Sequence, residues 1–436
     1  MRDLLVALII FGSIPFIFRR PFIGALMWCW ISYMVPHRLG WGFVNQLPVA
    51  MVIALCFLAA FALSKEPKTA PLRPPITMII VLLVWMSITT LVAPPDAFKV
   101  DQFIKVLKIQ LITFVIYILL TSRARIEQTL WVIAASIGFY GFKGGLFTIS
   151  RGGESRVWGP PGGFFEGNNE LGLTLLMNIP ILTYLILQSK NRWIKLGLLA
   201  VILTSVFSIL GTHSRGALVA GISVALFLWL KSPRKMLFTL IFVLALPVAF
   251  VSMPESWHER MSTIVADDRE DYDSSVQGRF NAWEMAFNLA KDKLFGGGFA
   301  ATSHENFALY APDPTDVHDS HSIYFQMMGQ HGFIGLTIFL ILGWLTWRSA
   351  NNTIRLVKND PEYEWAGTLA RMLQCSLVAF GTGGAFLGLA YFDLPYHIII
   401  TLVAVENLVR DRVRATRPGQ PFAHSHPSDI PSEEKS

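Results

Sequence analysis

The sequence predicts an all-α, polytopic membrane bundle of about 12–13 transmembrane helices, interrupted by one long, partly helical loop. Three observations predict it. Of 436 residues, 53% are hydrophobic and only 15% charged, and the mean hydropathy is +0.48, far from a soluble domain. Apolar stretches of roughly 15–25 residues, long enough to cross a bilayer, recur from Leu4 to Val409. Lysines and arginines gather in alternate short connections, as the positive-inside rule requires.

In chain order, the stretches fall near residues 3–18, 22–36, 47–63, 76–92, 101–120, 129–149, 170–188, 194–211, 214–230, 236–252, 322–347, 366–390 and 395–409. The first is not a cleavable signal, because a second apolar stretch begins at Phe22 and no small-residue cleavage site follows Phe18. The basic groups that separate later stretches are Lys65/Lys68/Arg73, Arg123/Arg125, Lys190/Arg192/Lys195, Lys231/Arg234/Lys235, Arg348/Arg355/Lys358 and Arg410/Arg412/Arg414. They mark one side, expected to be cytoplasmic. The connections 93–97, 151–169, 211–214 and 254–320, and the turn near Asp393, fall on the other side, the periplasm of a bacterial inner-membrane protein. Thirteen Trp and ten Tyr suit interfacial anchoring. The organisation read from this is one bundle over 1–409, the loop 254–320 within it, and a polar, disordered cytoplasmic tail over 410–436. His424 and His426 belong to that tail, where disorder outweighs metal binding.

Composition excludes several classes. Cys29, Cys56 and Cys375 lie in apolar stretches and read as small hydrophobes, not as a disulfide framework. The net charge of +6 is explained by short-loop Lys and Arg, so no nucleic-acid partner is expected. The acidic residues Asp267, Asp268, Glu270, Asp271 and Asp273 lack the glycine and terminal Glu spacing of a calcium loop.

The long loop carries most of the chemistry. Its segment 277–288 reads as an amphipathic helix, with Phe280, Trp283 and Phe287 at helical spacing. Arg279 lies one turn before Trp283, and a guanidinium can hold two phosphate oxygens. At the loop's end stand His318, Asp319, Ser320, His321 and Ser322, followed by Gly329-Gln330-His331-Gly332. An imidazole at His321 can accept a proton near neutral pH, and Asp319 is close enough in sequence to orient it. His318 and His321 do not complete a zinc signature. The glycines after His321 suit close helix packing.

Outside the loop, Thr212-His213-Ser214-Arg215-Gly216 falls at the outward junction of two stretches. An arginine there snorkels, pairs or binds an anion, and the preceding hydroxyls and helix N-terminus add a field for negative charge. Residues 151–169 form a shaped Gly/Pro loop containing Arg151, Arg156, Glu166, Asn168 and Asn169. Either asparagine can cap the next helix or meet sugar hydroxyls, with capping expected for at least one. Lys105, Lys108 and Lys143 sit near the outward ends of their stretches, against the charge rule, where they can guide an anionic lipid. An anion clamp, a base and lipid access together fit a lipid-linked diphosphate sugar. An acceptor hydroxyl would attack the anomeric carbon, His321 would take its proton, and Arg215 and Arg279 would stabilise the departing diphosphate.

These motifs, Thr-His-Ser-Arg-Gly around Arg215, Gly-Arg with Trp283, and Asp-Ser-His-Ser followed by Gly332-Phe333-Ile334-Gly335, resemble the O-antigen ligase superfamily. That superfamily includes lipopolysaccharide O-antigen ligases, O-antigen polymerases and protein O-oligosaccharyltransferases. The N-terminal portion resembles the O-glycosylation ligases associated with exosortase systems. The resemblance implies a GT-C-like fold and metal-independent, cofactor-free transfer from undecaprenyl diphosphate glycan at the periplasmic face. Arg215 and Arg279 match the family's essential arginines and His321 its histidine. Its usual His-Asn pair is His321-Ser322 here. Lipid A-core is the acceptor expected, with a protein or another lipid-linked repeat as alternatives. A transporter would show inverted repeats, and no convincing repeat is found.

Overall fold

A computed structural model describes residues 2–40, 42–94, 96–231, 251, 253–262 and 274–415. The expected helix over 236–252 (Val251 excepted), the acidic run 267–273 and the tail beyond Ala415 lie outside the described residues. Within them the secondary structure is entirely helical, with 3-10 turns and no strand.

The first half comprises α1 (Arg2–Arg19), α2 (Pro21–Met34), α3 (Val49–Leu63), α4 (Pro74–Val92), α5 (Ala97–Leu119), α6 (Arg123–Ser150) and α7 (Asn168–Gln188). Then come α8 (Arg192–Gly211) and α9 (Arg215–Lys231). The long loop contributes α10 (Glu255–Ser262), α11 (Ser274–Asp292) and α12 (His304–Tyr310). The chain ends in α13 (Ile323–Leu356), α14 (Glu364–Gly383) and α15 (Asp393–Ala415). Of these, α4 to α8 and α13 are long and apolar enough to span a bilayer, and α2, α3 and α9 are shorter apolar helices. This is the architecture of a polytopic membrane bundle. Sequence signals set many starts: Pro21 and Pro74 occupy the first turns of α2 and α4. Asp96, Ser122, Asn191 and Ser322 cap α5, α6, α8 and α13 by accepting backbone N–H groups.

Small residues determine how α6 meets α8. A Cβ at Gly141 or Gly144 would overlap the hydroxyl of Ser205 or Ser208, and one at Gly145 would overlap the Thr204 carbonyl. Gly211 abuts Thr148 in the same way. The two backbones therefore run in close contact up to the turn at 212–214, the packing mode small residues permit in membranes.

The centre of the bundle is α15, buried without interruption from Asp393 to Asn407. Most of its polar groups find partners on neighbouring helices or within α15 itself, although Asp393 Oδ1 and His397 Nε2 do not. Asp393 accepts from Ser32, His397 meets Tyr33, Glu406 accepts from Arg410 at 2.8 Å, and Asn407 accepts from Arg73 at 2.8 Å and donates to Tyr117 at 2.9 Å. The expected helix over 366–390 is shorter. It stops at Gly383, and residues 384–392 form a 3-10 turn and an irregular link into α15. Gly383 and Gly384 lie tight against Leu173 and Ile323, and the chain turns across the end of the bundle there.

Five of the six basic groups assigned to one side in the sequence gather at one end, Arg234 and Lys235 of the sixth lying outside the described residues. Arg125 pairs with Glu66 at 2.7 Å and Arg412 with Glu362 at 2.7 Å. The loop helices lie at the other end. There α13 is broken at Gly332, whose φ of 69° only glycine adopts without strain. A Cβ at this position would also overlap the Leu294 carbonyl, and Gly297 N–H donates to Gly329 O at 2.8 Å. The loop is thus stitched backbone to backbone into the break.

Gly332→Ala should destabilise the protein by roughly 1–3 kcal/mol from backbone strain alone, with the collision added. Gly197→Ala, with nothing near its Cβ position in exposed α8, should be neutral or stabilising by up to about 1 kcal/mol. Thermal unfolding in detergent compares the two.

Candidate active site

Arg215 opens α9 directly after the turn 212–214, and four contacts hold that turn. Asn168 donates to Thr212 O at 2.7 Å, the His213 ring nitrogen Nε2 meets Gly153 O at 2.8 Å, and Arg260 Nε donates to His213 O at 2.9 Å. Ser214 caps α9 by accepting Ala217 N–H at 3.1 Å. His213 itself has a left-handed backbone, φ 53°. Burial lowers its imidazole pKa. Arg156 and Arg260 push it the same way, against the Gly153 carbonyl. The turn therefore collects Arg156, Arg215 and Arg260 around a neutral imidazole.

Arg260 was not foreseen. It lies in α10 and reaches the turn across 47 residues of sequence, so no local pattern announces it. The asparagines also differ from expectation. Gly167, not an asparagine, is the N-cap of α7, and it has no side-chain cap. Asn168 is 7% exposed and its amide is committed to Thr212, so it shapes the turn and is not presented to a sugar. Asn169 is half-buried on the first turn of α7.

The loop brings Arg279 to the segment that precedes α13. Two residues after Arg279, Asn281 clamps the loop by donating to Asp313 O and Asp316 O and accepting Asp313 N–H, all at 2.9 Å. Trp283 donates to Ser320 O at 2.6 Å and stacks on Phe325 at 4.8 Å between centroids. Gly278 lies against the His318 ring, where a Cβ would collide. His321 follows with φ 42°, a second left-handed histidine. A non-glycine residue held there stores about 1–2 kcal/mol, and such strain concentrates at functional sites. The His321 ring is half-buried and makes no hydrogen bond to any described residue. Asp319 does not orient it: its carboxylate leans against Gly388.

The irregular link at 384–392 joins the two halves. Gly216, next to Arg215, packs on Phe386; Gly384 packs on Ile323; Gly388 packs on Asp319. Arg215 and His321 thus flank one turn at one end of the bundle, and α11 carries Arg279 to the same segment. Below Ile323 and Tyr324 lies an apolar cavity of 220 Å³, lined further by Phe339, Trp344, Phe380 and Tyr396.

The other expected residues fall elsewhere. Arg151 is the exposed C-cap of α6. Lys143 projects from the exposed face of α6 with Phe142, Leu146 and Phe147, away from the seam with α8. Lys105 and Lys108 line a separate cavity, with Lys105 Nζ 4.5 Å from the Phe164 ring centre. His318 is exposed, 3.3 Å from Asp316. His331 is fully buried between Thr89, at 2.7 Å, and Tyr391, at 2.8 Å, a structural pin beside the break in α13.

Comparison with known families gives two matches. Residues 199–340 match the O-antigen ligase family, and residues 1–190 match a family of unknown function, DUF5935. No curated protein matches the chain. The chain therefore carries an O-antigen ligase domain, the mark of a glycan-transferring membrane enzyme acting on lipid-linked glycans. That domain contains Arg215, Arg260, Arg279 and His321.

Trp283→Phe keeps the stack but deletes the indole N–H, and should cost about 1 kcal/mol. Faster hydrogen exchange over 316–322 would register it. His213 binds its proton less readily when folded, so this contribution to stability is complete above the ordinary value of 6.5 and is lost as pH falls through the lower folded value. His213→Asn, which tolerates the left-handed backbone, should flatten that part of the acid slope in thermal unfolding.

Proposed function

We propose that this O-antigen ligase domain transfers a glycan en bloc from undecaprenyl diphosphate to a sugar hydroxyl of lipid A-core, at the periplasmic face of a bacterial inner membrane. The observation that carries the reading is the shared turn: residues beside Arg215 and His321, namely Gly216, Asp319 and Ile323, pack on the 384–388 link from two sides, and Trp283 ties the helix of Arg279 to the segment before His321. Cations for a diphosphate and an unengaged imidazole for a hydroxyl then meet at one end of the bundle.

In this reading the prenyl chain occupies the apolar cavity below Ile323 and Tyr324, and the diphosphate lies between Arg215 and Arg279. Arg156 and Arg260 add positive charge beside Arg215. The acceptor hydroxyl forms the new bond to the anomeric carbon as the bond to the diphosphate oxygen breaks. The leaving diphosphate keeps the electron pair, and the hydroxyl proton passes to His321. Direct displacement inverts the anomeric centre. The diphosphate departs as an anion, so no general acid is required of the protein. The preorganised guanidinium groups lower the barrier because charge grows on the leaving oxygen in the transition state. Ser322 serves as helix cap, so the His-Ser pair leaves the imidazole's role intact.

The purified chain, reconstituted with undecaprenyl diphosphate glycan, should glycosylate lipid A-core with an inverted linkage, read by mass spectrometry and NMR. Transfer only to a protein hydroxyl, or only to a second lipid-linked repeat, would replace the acceptor proposed. Movement of the lipid across the bilayer without covalent product would replace transfer with transport. His321→Ala should lower turnover by roughly 10²–10⁴-fold with normal folding. Arg215→Gln and Arg279→Gln should each cost about 10²–10³-fold. Full turnover in a folded His321→Ala protein would remove the proposed base.

A further inference from the structure

The 384–392 link leads from the Arg215–His321 turn to a second polar cavity, which the transfer chemistry above leaves unused. Gly388 touches Asp319, Phe392 packs on Phe164 and Phe165 with ring centres 5.9 and 6.1 Å apart, and Asp393 borders the cavity. Asp393 is the fifth residue after Gly388, so the two places lie no more than about 18 Å apart along the chain. The cavity holds 500 Å³ between α2, α5, the turn at 36–39 and the Gly162–Gly163 turn.

Its lining is amphiphilic. Ile31, Ile104 and Ile109 form an apolar part, and Arg38, Lys105 and Lys108 bring three cations to the other. Neither lysine has an ion pair among the described residues, although Asp101 stands one turn before Lys105 and also lines the space. His37 adds no charge near neutrality, because burial and Arg38 lower its pKa. Two buried groups border the cavity with unmet hydrogen-bonding capacity. Trp28 Nε1 has no acceptor, and Asp393 Oδ1 has no donor while Oδ2 accepts from Ser32. Asp393 is 1% exposed. Buried polar atoms of this kind are costly unless a partner arrives. Cations recognise phosphate, and a carboxylate oxygen and an indole N–H, each without a partner, recognise hydroxyls.

We propose that this cavity is a second binding site, for the phosphorylated sugar headgroup of a lipid. The apolar wall takes the start of the lipid chain, Lys105, Lys108 and Arg38 take the phosphate, and Asp393 and Trp28 take sugar hydroxyls. The site is built by the part of the chain matched to the family of unknown function, except for Asp393. It does not depend on the transfer reading, because binding is measured without turnover. Two lipids carry this chemistry: a prenyl-linked sugar phosphate of the donor type, and a phosphorylated glucosamine lipid of the acceptor type.

The test is binding of each lipid to the full chain in detergent, with an unphosphorylated glycolipid as the control. Lys105→Gln/Lys108→Gln should weaken at least one phosphorylated lipid tenfold or more and leave the control unchanged, and Lys105→Arg/Lys108→Arg should restore binding. Whichever lipid is lost names the source. Wild-type affinity for both lipids in a folded double Gln variant overturns the proposal. A photoactivatable analogue of each lipid on the wild-type chain gives a reading that no variant can confound. Crosslinks within residues 28–38 or 101–109 support the site, and crosslinks only to other peptides overturn it.

Discussion

A helix buried on every side draws its hydrogen-bond partners from within the protein, and α15 is such a helix. Asp393, His397, Glu406 and Asn407 reach partners on α2, α5 and α13, at the N-cap of α4 and within α15 itself. These bonds fix its rotation and depth, since turning it would strand ionisable groups against apolar neighbours. The preceding link inherits that fixity. Residues 384–392 are held at one end by α15 and at the other by Gly383 and Gly384 against Leu173 and Ile323. Everything that touches the link, including the residues beside Arg215 and His321, is referenced to the central helix.

The approach to the site is stiff on one side and adjustable on the other. The turn before Arg215 is bonded to α7, α10 and the 151–167 loop and rests on the α6–α8 seam. The segment before His321 depends instead on α11, through one indole hydrogen bond, one ring stack and the Asn281 clamp. Phe280 and Phe287 on that helix remain 47% and 45% exposed, an aromatic face suited to an interface between water and lipid. A loop that must admit a long lipid and a bulky glycan is well served by attachments of this modest number.

Much of this was legible in the sequence. Apolar length located the helices, basic loops grouped one end of the bundle, and the spacing of Phe280, Trp283 and Phe287 announced a helix inside the long loop. Arg215 stood out at the junction of two apolar stretches, and Arg279 and His321 through the motifs around them. What remained hidden depends on contacts distant in sequence. The apolar run through Gly384 and Leu389 reads as helix, and only the packing of Ile323 and Phe386 explains why it turns. Asn168 has the composition of a cap or a sugar ligand, yet Thr212 claims it. Arg260 is one charge among many in a polar loop until its bond to His213 is seen.

The boundary between the two family matches, residues 190–199, spans the end of the α7–α8 connection and the first turns of α8, but close backbone packing crosses it. Gly141, Gly144 and Gly145 on one side fit Ser205, Ser208 and Thr204 on the other with no room for a methyl group. The junction therefore separates two family matches without dividing a folding unit. An unfamiliar α6 placed against this α8 would tilt the turn that leads to Arg215, so the N-terminal region and the ligase domain of this chain are fitted to each other as a matched pair.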